Sequence, residues 1–203
     1  MSNHSIGKKI EVPIQELLLD ADNPRFGGLS GSAREQTDVL EHIVDTFGVD
    51  DLLSSLSVNG YFEAEPLVVR RTPSGLIVAE GNRRLAACLM LARDPRARRV
   101  QEKAARFRRE WEEHGQPPIE SLPVIEFGGE ESARDLLPYL GVRHISASKS
   151  WDSYAKAAWV ANVVEKHDLP VKDIAKMIGD QHRTIDRLLE GFYIVRQLIE
   201  FGA

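Results

Sequence analysis

The residues best suited to chemistry in this chain are Gly81, Asn82, Arg83 and Arg84, in the run Val78-Ala79-Glu80-Gly81-Asn82-Arg83-Arg84-Leu85. An apolar strand pattern enters Gly81 and a helical repeat leaves it. A helix N-terminus at that corner offers backbone N–H groups with no intrahelical partner and a positive dipole end. Two guanidinium forks add the geometry that matches phosphate oxygens. Gly81 has no Cβ, so a ligand can approach its backbone closely. First helical turns favour acidic residues, so two arginines there either meet an anion or are ordinary solvated side chains.

The flanking pattern sets up this corner. Pro66-Leu-Val-Val-Arg-Arg71 and Leu76-Ile-Val-Ala79 read as strands joined by a Thr72-Pro-Ser-Gly75 turn. Leu85, Cys88, Leu89 and Ala92 then recur at helical spacing. Upstream, Ile10 to Ile14 reads as a short strand, Asp22-Asn23-Pro24-Arg25 as a turn, and Gly27 to Ser32 as a flexible stretch. Helices are expected from about Ala33 to Phe47 and from Asp50 to Asn59, the second closed by Gly60. Leu122 to Phe127 resembles another strand.

Across 203 residues the chain is 42% hydrophobic and 28% charged, a globular composition without an apolar run long enough to span a membrane. The N-terminal residues lack the apolar core of a signal peptide and Cys88 is the one cysteine, so a reducing, cytoplasmic setting is expected. A lone cysteine excludes an internal disulfide and any multi-cysteine zinc module. Cys88 reads as a packed small hydrophobe.

The net charge of −5 is unevenly spread: Arg93 to Arg109 holds eight basic residues against Asp94 and Glu102, a local +6. Asp94 as N-cap, Pro95 at N1, an apolar stripe of Val100, Ala104, Phe107 and Trp111, and Gly115 as a stop read as one helix. Its basic face suits nucleic acid or a nucleotide, or equally a solvated face paired with Glu110, Glu112 and Glu113.

From about Trp151 onward the pattern is wholly helical. Tyr154, Ala157, Ala158, Ala161 and Val164 mark one helix, and Asp168-Leu169-Pro170 interrupts it. Val171 to Leu189 then fits a helix-turn-helix. Ala175 sits where two helices would cross, Gly179 permits the turn, and Ile174, Ile178, Ile185 and Leu188 supply a shared core. With the second helix starting near Gln181, residues Gln181, His182, Arg183 and Arg187 face a DNA groove and Thr184 is available to a phosphate. Residues 169–203 carry five basic and five acidic residues, so non-specific phosphate attraction is weak here and a helical bundle without nucleic acid is the other reading.

Together these pieces resemble the ParB and sulfiredoxin superfamily, and especially ParB-like proteins that join such a domain to a helix-turn-helix. Asn23-Pro24-Arg25 is similar to the first ParB box, Leu52 to Gly60 with Glu65-Pro66-Leu67-Val68-Val69-Arg70 to the helix and strand that follow, and Ala79 to Arg84 to the second box. The resemblance covers about Ile10 to Gln197. It implies an α+β fold: a flexible N-terminus over 1–9, a mixed nucleotide-binding domain over 10–146 and an all-α helix-turn-helix domain over 147–203. It also implies a nucleoside triphosphate, CTP or ATP, whose phosphates meet Gly81, Asn82, Arg83 and Arg84 with Arg25 nearby, and self-association as a homodimer on DNA.

The departures from the pattern narrow what the resemblance implies. ParB carries glutamate where this chain has Asn82, and a Glu-Asn pair where it has Gly141-Val-Arg-His-Ile-Ser146. That favours binding over hydrolysis. By its place in the ParB pattern, Arg143 is a candidate further phosphate contact and His144 a candidate hydrogen-bonding group or proton relay, while Glu63, Glu65 and Glu80 are the carboxylates near enough in sequence to be candidates for magnesium. Sulfiredoxin places its reactive cysteine at the position of Asn82, so no sulfiredoxin activity is expected. The alternative is an enzyme: a ParB-like NTPase, nuclease or small-molecule kinase. The chain stops inside an apolar run, Leu198 to Ala203, which reads as part of a longer protein.

Overall fold

Strand β1 (Lys8–Pro13) and strand β2 (Leu17–Leu19) flank one 3-10 turn, Ile14–Glu16, and begin a computed structural model that describes residues 7–23, 35–127, 132–141, 153–167, 169–178 and 182–200. Side chains of 132–135, 176–178 and 182 lie outside that description. Helices α1 (Gln36–Phe47) and α2 (Asp50–Asn59) follow, then β3 (Leu67–Thr72), β4 (Gly75–Glu80) and α3 (Asn82–Leu91). A 3-10 segment (Pro95–Ala104), α4 (Ala105–Glu113) and β5 (Ser121–Phe127) complete the first unit. The second unit holds α5 (Ser132–Gly141), α6 (Ser153–His167), α7 (Val171–Ile178) and α8 (His182–Glu200). The architecture is mixed helix and sheet, as expected for α+β.

Five strands form a single sheet in the order β1-β5-β3-β4-β2. The β3–β4 hairpin is antiparallel, and the Thr72 hydroxyl donates to the Gly75 carbonyl at 3.0 Å to close it. β1 runs antiparallel to β5, while β3–β5 and β2–β4 are parallel. Leu67, Val69 and Val78 on the sheet are buried with Leu40, Ile43, Leu53, Leu85 and Leu89 from α1, α2 and α3. Each large side chain so buried contributes about 1.5–3 kcal/mol against the unfolded chain.

β2 was not anticipated, because Leu17-Leu18-Leu19 alone shows no alternation to distinguish a strand. It is a short edge strand, and three side chains fix its backbone. The Gln36 carboxamide accepts from Leu19 N–H at 2.7 Å and donates to Leu19 C=O at 3.0 Å. Arg96 donates to the carbonyls of Leu17 and Ile14. Asn82 Oδ1 accepts the N–H of Asp20 at 2.9 Å. An edge that would otherwise expose unpaired backbone groups is thereby closed.

Two further differences from the sequence reading concern helices. The expected single helix after Asp94 is a 3-10 segment that passes into α4; Asp94 does cap it, accepting from Arg96 N–H at 2.9 Å. α5, which contains Pro138, was not foreseen.

In the second unit Ile174 and Ala175 of α7 are buried with Ile185, Leu189 and Phe192 of α8 and with Ala157, Val160 and Ala161 of α6. Leu188, placed in the core by its spacing, is partly buried against this cluster. The α7–α8 junction at residues 179–181 lies outside the described residues. No helix of the described residues is long and apolar enough to cross a membrane.

Candidate functional site

β4 ends at Glu80 and α3 begins at Asn82, so Gly81 is the corner the sequence reading expected. Its φ of 99° and ψ of 19° are left-handed, a region open to glycine at little cost. What approaches its backbone is a side chain of the protein: a Cβ at Gly81 would lie 2.5 Å from Leu67 Cδ2. The first helical bond runs from Leu85 N–H to Gly81 C=O at 2.9 Å, which leaves the N–H groups of Asn82, Arg83 and Arg84 without intrahelical acceptors. The first turn of α3 contains no acidic residue.

Asn82 is buried, 7% exposed, and its carboxamide is engaged at both ends: Oδ1 with Asp20 N–H and Nδ2 with Val78 C=O at 2.8 Å. It ties the end of β2 to the end of β4 beneath the corner. Arg83 and Arg84 fan to opposite sides. Arg83 Nε donates to Gly48 C=O at 2.9 Å and Nη2 to Asp51 Oδ1 at 2.6 Å. Arg84 Nη1 donates to Glu65 C=O at 2.8 Å and Nη2 to Glu65 Oε2 at 2.5 Å. The partners that two arginines in a first helical turn require are thus present within the chain, supplied by the start of α2 and by the loop between α2 and β3.

That loop is itself tied down. Tyr61 Oη donates to the same Glu65 carbonyl at 3.0 Å. Burial pushes the Tyr61 hydroxyl up to about 12, with Arg84 opposing the rise, so it remains a donor across the physiological range. Asp20, which the motif reading passed over, stands at the end of β2 with Arg70 Nη2 3.5 Å from its Oδ1. Its sequence signal was weak: a carboxylate after an apolar triplet, in a strand too short to recognise.

The remaining sequence candidates divide by position. Arg25, Arg143, His144 and Gln181 lie outside the described residues, as does the side chain of His182. Arg183, Thr184 and Arg187 are exposed on α8, opposite Ile185, Leu189 and Phe192. Arg183 and Arg187 are four residues apart and share one face. As for magnesium, the Glu65 carboxylate is turned to Arg84, and no group of three acidic, histidine or cysteine side chains comes together among the described residues.

The basic segment finds acidic partners mainly on α1. Arg99 Nη1 donates to Asp38 at 2.6 Å and Glu41 at 2.9 Å, and Lys103 Nζ to Asp45 at 2.6 Å. Arg96 forms a fork with Asp94 at 2.7 Å and 2.9 Å. Much of the positive face is therefore matched by the acidic side of α1, with Arg93 near Glu112 at 3.5 Å as the pairing closest to the one anticipated. Cys88 is fully buried on α3, and burial pushes its thiol up to about 12.

Two solved structures of ParB resemble this chain. One is the C-terminally truncated chromosome-partitioning protein ParB from Caulobacter crescentus complexed to the centromeric parS site, at 16% identity over 89% of this chain and 70% of that one, with a TM-score of 0.44. The other is the same truncated protein complexed with CTP-gamma-S, at 16% identity over 95% of this chain and 87% of that one, with a TM-score of 0.35. No family model matches the sequence, and no curated protein matches it.

Proposed function

We propose that this chain is a ParB-like nucleotide-binding and DNA-binding protein. In this reading the mixed domain, 10–146, takes the phosphates of CTP or ATP through Gly81, Asn82, Arg83 and Arg84 at the N-terminus of α3, and the resemblance to ParB adds Arg25 and Arg143 as further contacts. The helical domain, 147–203, engages DNA as a helix-turn-helix through Gln181, His182, Arg183, Thr184 and Arg187. Nucleotide binding regulates self-association of a homodimer, and Glu65 and Glu80 are the candidate carboxylates for any magnesium that accompanies the phosphates.

The observation that carries the reading is the corner. Gly81 turns β4 into α3 so that three first-turn N–H groups and two guanidinium groups issue from adjacent residues. Helix dipole, backbone donors and guanidinium forks all favour an oxyanion there. The order of the ParB-like boxes along the sequence supplies the nucleotide and the DNA.

Titration of CTP and ATP against the wild type and the Arg83→Ala and Arg84→Ala variants tests the nucleotide half. Binding by the wild type and a loss of tenfold or more in each variant is expected, about 1.4 kcal/mol. Unchanged binding by both variants overturns the assignment. For the DNA half, Arg187→Ala weakens duplex binding and lowers its salt dependence.

A further inference from the structure

Arg83 and Arg84 each already hold an oxygen of a carboxylate, Asp51 Oδ1 at 2.6 Å and Glu65 Oε2 at 2.5 Å. A carboxylate and a phosphate each present a pair of anionic oxygens to the planar guanidinium fork. The two contacts differ in consequence. Asp51 sits in the first turn of α2, a position fixed by the helix. Glu65 belongs to the connection between Asn59 and Leu67, where backbone bonds are few: Glu65 N–H to Phe62 C=O at 3.0 Å holds a turn, and the Glu65 carbonyl takes donors from both Arg84 and Tyr61. Gly60 and Tyr61 from this connection also line a cavity of about 350 Å³ with Trp111, Gln116 and Pro118.

We propose that Glu65, together with Asp51, is an internal stand-in for the oxyanion ligand, and that Arg84 cannot serve Glu65 and a pyrophosphate group at once. When a ligand of that class takes the guanidinium fork, the Glu65 carboxylate leaves it and the strap from Tyr61 to Glu65 loosens, altering the cavity wall that Tyr61 forms. The ligand-free state is thus held by an autoinhibitory contact and the strap reports occupancy. This rests on the reading of the α3 N-terminus as an anion site. Both carboxylates are more than half exposed, 65% for Asp51 and 59% for Glu65, so the latch is weak enough for a charged ligand to displace.

Inorganic pyrophosphate is the probe, titrated by calorimetry into the wild type, Glu65→Gln and Asp51→Asn, with amide deuterium uptake followed over 61–65. Pyrophosphate should bind the wild type, and bind Glu65→Gln about three- to fivefold more tightly, since a competing charge is removed while the side-chain shape is kept. Uptake over 61–65 rises when the wild type is saturated and is already raised in ligand-free Glu65→Gln. If the wild type binds pyrophosphate but Glu65→Gln binds it no better, or if uptake is unchanged by ligand, the latch is wrong and the anion site stands. If neither the wild type nor the carboxylate variants bind pyrophosphate at all, the anion reading fails, and the latch with it.

Discussion

Asn82 and Asp20 are 62 positions apart in sequence and joined by a buried hydrogen bond of 2.9 Å, from the Asp20 N–H to the Asn82 carboxamide oxygen. The amide nitrogen of Asn82 returns to Val78 C=O within its own strand-to-helix corner. One side chain therefore registers the edge strand against the helix that begins the candidate site. Asn82→Asp keeps the acceptor but replaces the donor with an oxygen facing a carbonyl. It should cost about 1–3 kcal/mol, the usual penalty for a buried polar group left unmatched. Asn82→Ala should cost a similar amount. Urea melts of both variants measure this, and stability equal to wild type would remove the structural role.

Gly81→Ala tests whether the corner is held by conformation or by space. Its φ of 99° is costly for alanine, and the new methyl would fall 2.5 Å from Leu67 Cδ2. A loss of about 1–3 kcal/mol is expected from the backbone alone. Urea melts measure the loss, and a Gly81→Ala variant as stable as the wild type would show that the corner tolerates a side chain.

The pairing of the basic segment with α1 predicts a charge-swap rescue. Lys103→Asp faces Asp45 and should lower the melting temperature, whereas Lys103→Asp combined with Asp45→Lys should restore most of the loss. A double variant no better than the single one would show that the ion pair is incidental.

Asp94 links stability to pH. Burial acts to raise its pKa, but the side-chain and backbone hydrogen bonds from Arg96 and the charge of that guanidinium outweigh it, and the carboxyl is held below its ordinary 3.8. A group with a lowered folded-state pKa contributes stability that is complete above its unfolded value and lost as pH falls through the folded one. The wild type should therefore lose stability below about pH 4 more steeply than Asp94→Asn, which starts out less stable at neutral pH because the cap and the Arg96 fork are weakened. Thermal melts between pH 7 and pH 2.5 compare the slopes.

Cys88 should resist thiol reagents. With the side chain fully buried and the thiol pushed up to about 12, the reactive thiolate is scarce at any ordinary pH. Ellman's reagent should label the native protein slowly at pH 8 and the urea-unfolded protein at once.

Local structure was legible in the sequence where a turn, a cap or a periodicity marks it. The β3–β4 hairpin, the Asp50–Asn59 helix, the turn at Gly81 and the cap at Asp94 each follow from propensity, periodicity or a backbone angle that few residues adopt. Partnerships across the fold were not legible. That Arg83 meets Asp51, that Arg84 meets Glu65, that Arg99 and Lys103 meet α1, and that Asn82 reaches Asp20 depend on which elements the sheet order brings together. The same guanidinium group is a phosphate ligand or half of an ion pair according to what tertiary packing sets within about 3 Å of it, a distance at which charge-assisted hydrogen bonds form and beyond which solvent screens them. Strand-to-helix patterning along the chain is enough to put two arginines at a helix N-terminus; that each meets a carboxylate there follows from the folding of α2 and the Asn59–Leu67 connection against α3.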